Sequence, residues 1–320
     1  MKLLFGCGYL GSRVAALWQA AGERVTIVTR DPAKAAALRL RGYEAIVADV
    51  CEPATIGSLP AAETVLFAVG YDRRAPQRSI GEVYANGVQN VLDAVRGAGF
   101  RVQGSEGTRL LPNVDSAPNL EPRTSNPEPL FIYISSTGVY GDADGDWVDE
   151  TTACRPLREG GKACLAAEEA ITQYQLAPRS VVLRLAGIYG PDRIPRSESL
   201  RRGDPIDAPA DGYLNLIHVD DAAQIVLDVE QAAASGQIAP PQVYCVSDGR
   251  PGLRSEYYAE LARLLEAPPP RFVEPSPSSP AAARAAADKR VSNAKLLREI
   301  RPKLRYPSFR EGLAAIVRGG

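Results

Sequence analysis

A glycine-spaced turn, Gly6-Cys7-Gly8-Tyr9-Leu10-Gly11, stands between a short strand-like run, Lys2–Phe5, and a segment in which Leu10, Val14, Leu17 and Trp18 recur at helical spacing. Each glycine in such a turn has a separate physical task. The first allows a tight reversal, the second lets the backbone come close to a pyrophosphate, and the third lets helix and strand pack without a side chain between them. The helix that follows offers unpaired N–H groups and a partial positive charge at its start. Gly6, Gly8, Tyr9, Leu10 and Gly11 are therefore expected to hold the phosphates of a dinucleotide. The alternative is a strand-to-helix turn that holds nothing.

The same alternation continues along the chain. Strand-like runs at Arg24–Val28, Glu44–Ala48, Thr64–Val69, Leu130–Ser135 and Ser180–Leu185 are separated by helical patterns at Pro32–Leu40, Ile80–Val95 and Gly161–Tyr174. Runs such as Val65-Leu66-Phe67-Ala68-Val69 are apolar throughout, as a strand covered on both faces must be. The expected fold class is α/β, a doubly wound parallel sheet of Rossmann type with a smaller C-terminal substrate-binding portion. Residues 1–186 would form the dinucleotide-binding domain and 187–320 mainly the substrate-binding portion, with 217–246 returning to the nucleotide domain. Two segments break the rhythm: a Pro-rich insertion at 101–129, with Pro112, Pro118, Pro122, Pro127 and Pro129, and a Pro/Ser-rich linker at 268–280. The insertion reads as a flexible surface loop. Helical patterns at Ser292–Ile300 and Ser308–Val317 close the chain.

The second strand runs into Thr29-Arg30-Asp31-Pro32. An NAD site usually places an acidic residue at this point, whereas an arginine suits a 2′-phosphate. Arg30 therefore favours NADP, with NAD possible. On the other reading Arg30 is solvated and Asp31 simply caps the helix that starts at Pro32.

Charge is balanced, with 37 Lys+Arg against 38 Asp+Glu, so there is no electrostatic reason to expect nucleic acid or a membrane surface as partner. No apolar run approaches the roughly 18 residues of a membrane-spanning helix. The start, Met1–Cys7, has an apolar flavour that Arg13 interrupts well short of a signal segment. The cysteines, Cys7, Cys51, Cys154, Cys164 and Cys245, are scattered, and His218 is the single histidine. No metal site and no disulfide framework is expected. A small-molecule substrate and a cytoplasmic location follow as expectations.

In order and spacing the motifs resemble the extended short-chain dehydrogenase/reductases, the NAD-dependent epimerase/dehydratase family, over nearly the whole chain. Besides the glycine turn these are Ala48-Asp49-Val50, Gly87-Val88-Gln89-Asn90-Val91-Leu92, Ile134–Gly141, Arg184–Pro191, Asn215–Asp221 and Tyr244–Asp248. The resemblance implies that Asp49 and Val50 border the adenine, that Ala68, Val69 and Gly70 line the cofactor, and that Ala186 and Ile188 lie near the nicotinamide. It implies hydride transfer on a nucleotide sugar or a small carbonyl or hydroxyl compound. It also suggests a homodimer formed through helices 80–95 and 161–174. His218 would order the loop that joins the two portions, and Arg193 could meet a substrate phosphate or carboxylate.

Family members use a tyrosine as base, a lysine four residues later that lowers its pKa, and a Ser/Thr hydroxyl. Ser136 aligns with the hydroxyl and Lys162 with the lysine, but Arg158 stands where the tyrosine belongs. No tyrosine occurs between Tyr140 and Tyr174. Arginine keeps its proton at physiological pH and cannot serve as the base. The chain thus looks like an atypical member of the superfamily. Either Tyr140 or Tyr71 turns its phenol to the nicotinamide and restores catalysis, with Asn86 a weaker candidate, or the protein is a catalytically silent NADP(H)-binding sensor or interaction protein.

Overall fold

The computed structural model describes residues 1–72, 77–99, 128–174, 179–276, 279, 282 and 286–319. Most of the 101–129 insertion lies outside them. Seven strands form one sheet: β1 (Lys2–Phe5), β2 (Val25–Thr29), β3 (Glu44–Val47), β4 (Thr64–Phe67), β5 (Leu130–Ser136), β6 (Ser180–Leu185) and β7 (Gln242–Val246). Every pairing is parallel and the order is β3-β2-β1-β4-β5-β6-β7. The chain winds outward in one direction from β1 to β3, then crosses back to β4 and winds outward the other way. This is the doubly wound, Rossmann-type sheet expected from the sequence, and its switch point lies between β1 and β4.

Register explains why the strands are apolar on both sides. Leu3 aligns with Val65 and Val65 with Phe131, while Leu4 aligns with Leu66 and Leu66 with Ile132. Leu3, Val65 and Phe131 enter one core with Val88, Val91 and Leu92 of α3 (Gly87–Gly99) and Ala167 and Ile171 of α4 (Glu159–Gln173). Leu4, Leu66 and Ile132 enter the other, with Val14 and Trp18 of α1 (Gly11–Ala20), Leu38 of α2 (Pro32–Leu40) and Ile225, Val226 and Val229 of α5 (Val219–Ala234). Alternate residues of one strand thus face opposite helical layers.

Local chemistry sets several boundaries. The α2 helix begins at Pro32 because the Asp31 carboxylate accepts from Ala33 N at 2.8 Å and Lys34 N at 3.2 Å, and proline fits the first turn. The helical pattern at 80–95 is helical as expected, with one widened π-turn, Glu82–Asn86, running into α3. A Cβ on Gly87 would lie 3.0 Å from Val50 Cγ2, so α3 starts hard against the turn after β3.

After β6 the chain builds a second, smaller core from Tyr189, Leu200, Ile206, Leu216, Tyr257 and Phe309, which includes residues of α6 (Arg254–Leu265) and α8 (Phe309–Gly319). The strand Gly187–Tyr189 pairs with Leu216–His218 and carries the chain back to the sheet, where α5 and β7 follow. The outer side of β7 is closed by side chains. Cys245 N donates to Glu150 Oε1 at 2.7 Å, and Lys295 Nζ, from α7 (Ala294–Glu299), donates to Val243 O at 3.0 Å.

Candidate dinucleotide and active site

The residues singled out in the sequence gather at the carboxyl ends of the strands. Gly6 follows β1, Arg30 follows β2, Asp49 and Val50 follow β3, and Ala68, Val69 and Gly70 follow β4. Ser136 ends β5, and Ala186 and Ile188 follow or lie just beyond β6. In a doubly wound sheet this edge, on both sides of the switch point, is where ligands bind.

The three loop glycines differ in what surrounds them. Gly6 has φ +91°, and a Cβ there would lie 2.6 Å from backbone atoms of Ala68 and Val69. A Cβ on Gly11 would overlap the carbonyl oxygen of Gly6. Both positions are shut by the chain itself. Gly8 is the opposite: a Cβ would meet nothing within 4 Å, and the residue is exposed. Here the bare backbone faces open space in front of the start of α1, so these residues fit a bound dinucleotide. The Leu10 cap of α1 supplies no side-chain hydrogen bond to the first turn.

Beside this loop lies a cation that the sequence reading passed over. Lys34 Nζ donates to Cys7 O at 2.6 Å, so the first turn of α2 holds an ammonium against the glycine turn. Arg30 is half exposed and lies 3.6 Å from Asp72 Oδ2. Arg30, Asp31, Ala48 and Asp49 help to line a cavity of about 480 Å³ at the ends of β2 and β3. Asp49 Oδ1 accepts from Cys51 N at 2.9 Å, and Asn90 Nδ2 donates to Val50 O at 2.8 Å, which fixes this wall.

Ser136 is partly buried at the end of β5, and its Oγ accepts from Gly138 N at 3.1 Å. The hydroxyl proton is left to point elsewhere. The start of α4 presses on this turn: a Cβ on Gly161 would overlap Gly138 O. Arg158 caps α4, and its Nη2 would lie 3.9 Å from a Cβ on Gly138, with Ser136 Oγ 3.2 Å from the same point. The guanidinium therefore shares the Ser136 corner. Lys162 is exposed and pairs with Glu159 at 2.8 Å. Behind the corner is the buried Lys289, whose Nζ donates to Gly141 O at 2.7 Å. Burial, and then Arg158, push its pKa down to about 8.

Tyr140 does not stand free at this corner. It is 2% exposed, its phenol accepts from Arg184 Nη1 at 2.8 Å, and it lies 3.0 Å from Cys245 Sγ. Burial holds the phenol well above its usual range. Arg184 in turn grips Glu168 Oε2 through Nη2 at 2.6 Å and through Nε at 3.1 Å, and Glu168 accepts from Ser135 Oγ. This is a closed interior network beneath the Ser135–Ser136 strand end. Two sequence signals announced it: an arginine inside an otherwise apolar strand, and a glutamate on the Ala167/Ile171 face of α4, each of which requires a partner. Tyr71 is half-buried just after β4, and its N–H donates to the Tyr84 phenol at 3.3 Å. Asn86 is exposed in the π-turn.

His218 is buried and caps α5: its Nδ1 accepts from Asp220 N at 3.2 Å. A nitrogen that accepts carries no proton, and burial lowers the ring's pKa, so the imidazole is neutral with its proton on Nε2. Its 3.7 Å approach to the Asp220 carboxylate is accordingly not an ion pair. Among the described residues no group of His, Cys, Asp and Glu is arranged to hold a metal ion. No described helix is long and apolar enough to cross a membrane.

Residues 3–244 match the NAD dependent epimerase/dehydratase family, and the chain belongs to it. Protein YeeZ of Escherichia coli (strain K12) is 27% identical over 277 residues, covering 84% of this chain and 85% of that protein. A structure described as a putative NAD-dependent epimerase/dehydratase from Methylobacillus flagellatus superposes with a TM-score of 0.70 at 26% identity, covering 99% of this chain and 97% of the other. WbmG of Bordetella bronchiseptica, solved in complex with NAD and UDP, shares the fold with a TM-score of 0.72 at 16% identity, covering 99% and 93%.

Proposed function

We propose that this protein is an NADP-preferring oxidoreductase or epimerase that acts on a nucleotide sugar or a small carbonyl or hydroxyl compound. One observation carries the reading: Gly6 and Gly11 are closed by their own backbone while Gly8 faces open space, an arrangement that suits a pyrophosphate. A bound nicotinamide would supply hydride transfer. The preference for NADP is supported by Arg30 and Lys34 around the end of β2, where Asp31 is committed to the α2 cap and Asp72 lies 3.6 Å from Arg30. Neighbours such as WbmG, solved with NAD and UDP, support the cofactor and substrate classes in general. On this reading Asp49, Val50, Ala68, Val69, Gly70, Ala186 and Ile188 line the cofactor. Residues 1–186 with 217–246 bind it, and the rest of 187–320 shapes the substrate site. The free cysteines are consistent with a cytoplasmic home.

At the reacting end Ser136 orients the substrate oxygen with its free hydroxyl proton. Arg158 can stabilise a developing oxyanion but cannot remove a proton. Tyr140 is enclosed between Arg184 and Cys245, which leaves Tyr71, just after β4, as the phenol to act as base; binding without turnover would favour the silent-sensor reading. The test is a side-by-side titration with NADPH and NADH by nicotinamide fluorescence, using wild type and Arg30→Ala, followed by a substrate panel with Ser136→Ala as control. Tighter NADPH binding that Arg30→Ala abolishes supports the cofactor reading. Turnover lost in Ser136→Ala supports an enzyme, and binding without turnover supports the sensor. Failure to bind either nucleotide at millimolar concentration overturns both.

A further inference from the structure

Arg193 is not accounted for by the site described so far. It ends the tight turn Gly190–Arg193, closed by Gly190 N to Arg193 O at 3.3 Å and Arg193 N to Gly190 O at 3.0 Å, with Asp192 in the left-handed region at φ +63°. Tyr9, from the glycine loop, fastens this turn by donating its phenol to Pro191 O at 2.7 Å. Gly190 makes room for that contact, since a Cβ there would lie 2.6 Å from the Tyr9 oxygen. A loop that follows β6 is thus tied directly onto the phosphate loop that follows β1.

Arg193 lies on this tie. Its Cζ is 5.3 Å from the centre of the Tyr9 ring, the side chain is exposed, and among the described residues it makes no hydrogen bond or ion pair. The other charges around the ring are placed differently. Arg13, 4.3 Å from the ring centre, pairs with Asp220 at 2.9 Å and donates to Tyr9 O at 2.8 Å. Asp192, the remaining acidic group near the phenol, lies outside ion-pair distance of Arg193. A guanidinium held by stacking, with its donor fork free, beside a loop whose backbone faces open space at Gly8, suits a doubly charged oxyanion.

We propose that Arg193 is a pyrophosphate-binding residue, which closes the dinucleotide site from the side of the substrate portion through its seat on Tyr9. This rests on the dinucleotide reading above. The partner is the pyrophosphate of the cofactor rather than a substrate carboxylate, because Tyr9 places the arginine at the glycine loop.

The experiment is calorimetric titration of the full chain as wild type, Arg193→Ala and Arg193→Lys, with two probes: NADPH, which has the pyrophosphate, and adenosine 2′-monophosphate, which lacks it. Arg193→Ala is expected to weaken NADPH by about tenfold, the loss of one charge-assisted contact at an exposed site. Arg193→Lys is expected to recover part of this, and adenosine 2′-monophosphate to bind all three proteins alike. Unchanged NADPH affinity in Arg193→Ala overturns the proposal while leaving the cofactor reading intact, as does equal weakening of both probes. Wild type that binds no dinucleotide overturns the cofactor reading and this proposal with it.

Discussion

Replacing Asp248 by asparagine tests the electrostatics of the interior with a definite sign and size. Asp248 is 6% exposed; its Oδ1 accepts from Arg250 N at 2.9 Å, while its Oδ2 has no hydrogen-bond partner. Burial raises its pKa from 3.8 to about 7, with Glu311 and Asp221 adding to the rise and Arg250 opposing it. The folded carboxyl thus keeps a proton that the unfolded chain releases, so stability falls as pH climbs from the unfolded towards the folded pKa, and the loss is complete above it. At about 1.4 kcal/mol per unit, the part of this loss that falls between pH 5 and 8.5 is about 3 kcal/mol. Asparagine has no such slope. Urea unfolding of both proteins at the two pH values should show Asp248→Asn gaining about 3 kcal/mol on wild type between pH 5 and 8.5. Groups remote from position 248 titrate equally in both proteins and cancel. A stability difference that stays constant with pH would refute the argument that this carboxyl is buried with a proton.

Gly8→Ala should leave thermal stability almost unchanged, because its Cβ meets nothing, yet weaken NADPH binding by more than about tenfold; Gly11→Ala, which meets Gly6 O, should destabilise the fold by about 1–3 kcal/mol. Denaturation curves alongside fluorescence titration separate the two outcomes. Arg184→Met alone leaves the Glu168 carboxylate buried without its cation and should cost about 3–5 kcal/mol, whereas Arg184→Met with Glu168→Met should cost less than either single change. Additive losses in urea unfolding would contradict that coupling. We expect a homodimer through the α3 and α4 face, with light scattering giving twice the chain mass of 34.2 kDa and the exposed Ala166→Arg returning the monomer. A monomeric wild type removes that interface.

The sequence made the winding of the sheet readable because its signals are local. Asp31-Pro32 carries its own capping chemistry, and the helix expected at Pro32–Leu40 has those bounds. The glycine turn was readable for the same reason, since Gly11 is required by Gly6 only a few residues away, while Gly6 is required by the chain just after the neighbouring β4 and Gly8 by no atom of the chain itself. The interior placement of Tyr140 was not, because it depends on Cys245, 105 residues further on, and on Arg184, 44 residues on. Lys34 was missed because helix phase alone does not show that the first turn of α2 reaches back to Cys7. The π-turn at Glu82–Asn86 was missed because hydrophobic periodicity does not distinguish one widened turn from the helix it leads into. Helices α5 and α6 were not assigned from the sequence at all.

The side chains on the outer strand bear on how the folded protein meets others of its kind. A strand at the end of a sheet offers a row of unpaired amides and carbonyls on which a second chain can add its own strand. Glu150 takes the Cys245 amide and Lys295 takes the Val243 carbonyl, and both partners are charged. An incoming strand at β7 would have to displace both charged groups before pairing along its full length. These contacts make the β7 edge a poorer template for edge-to-edge pairing than a bare strand, with β3 as the opposite edge of the same sheet.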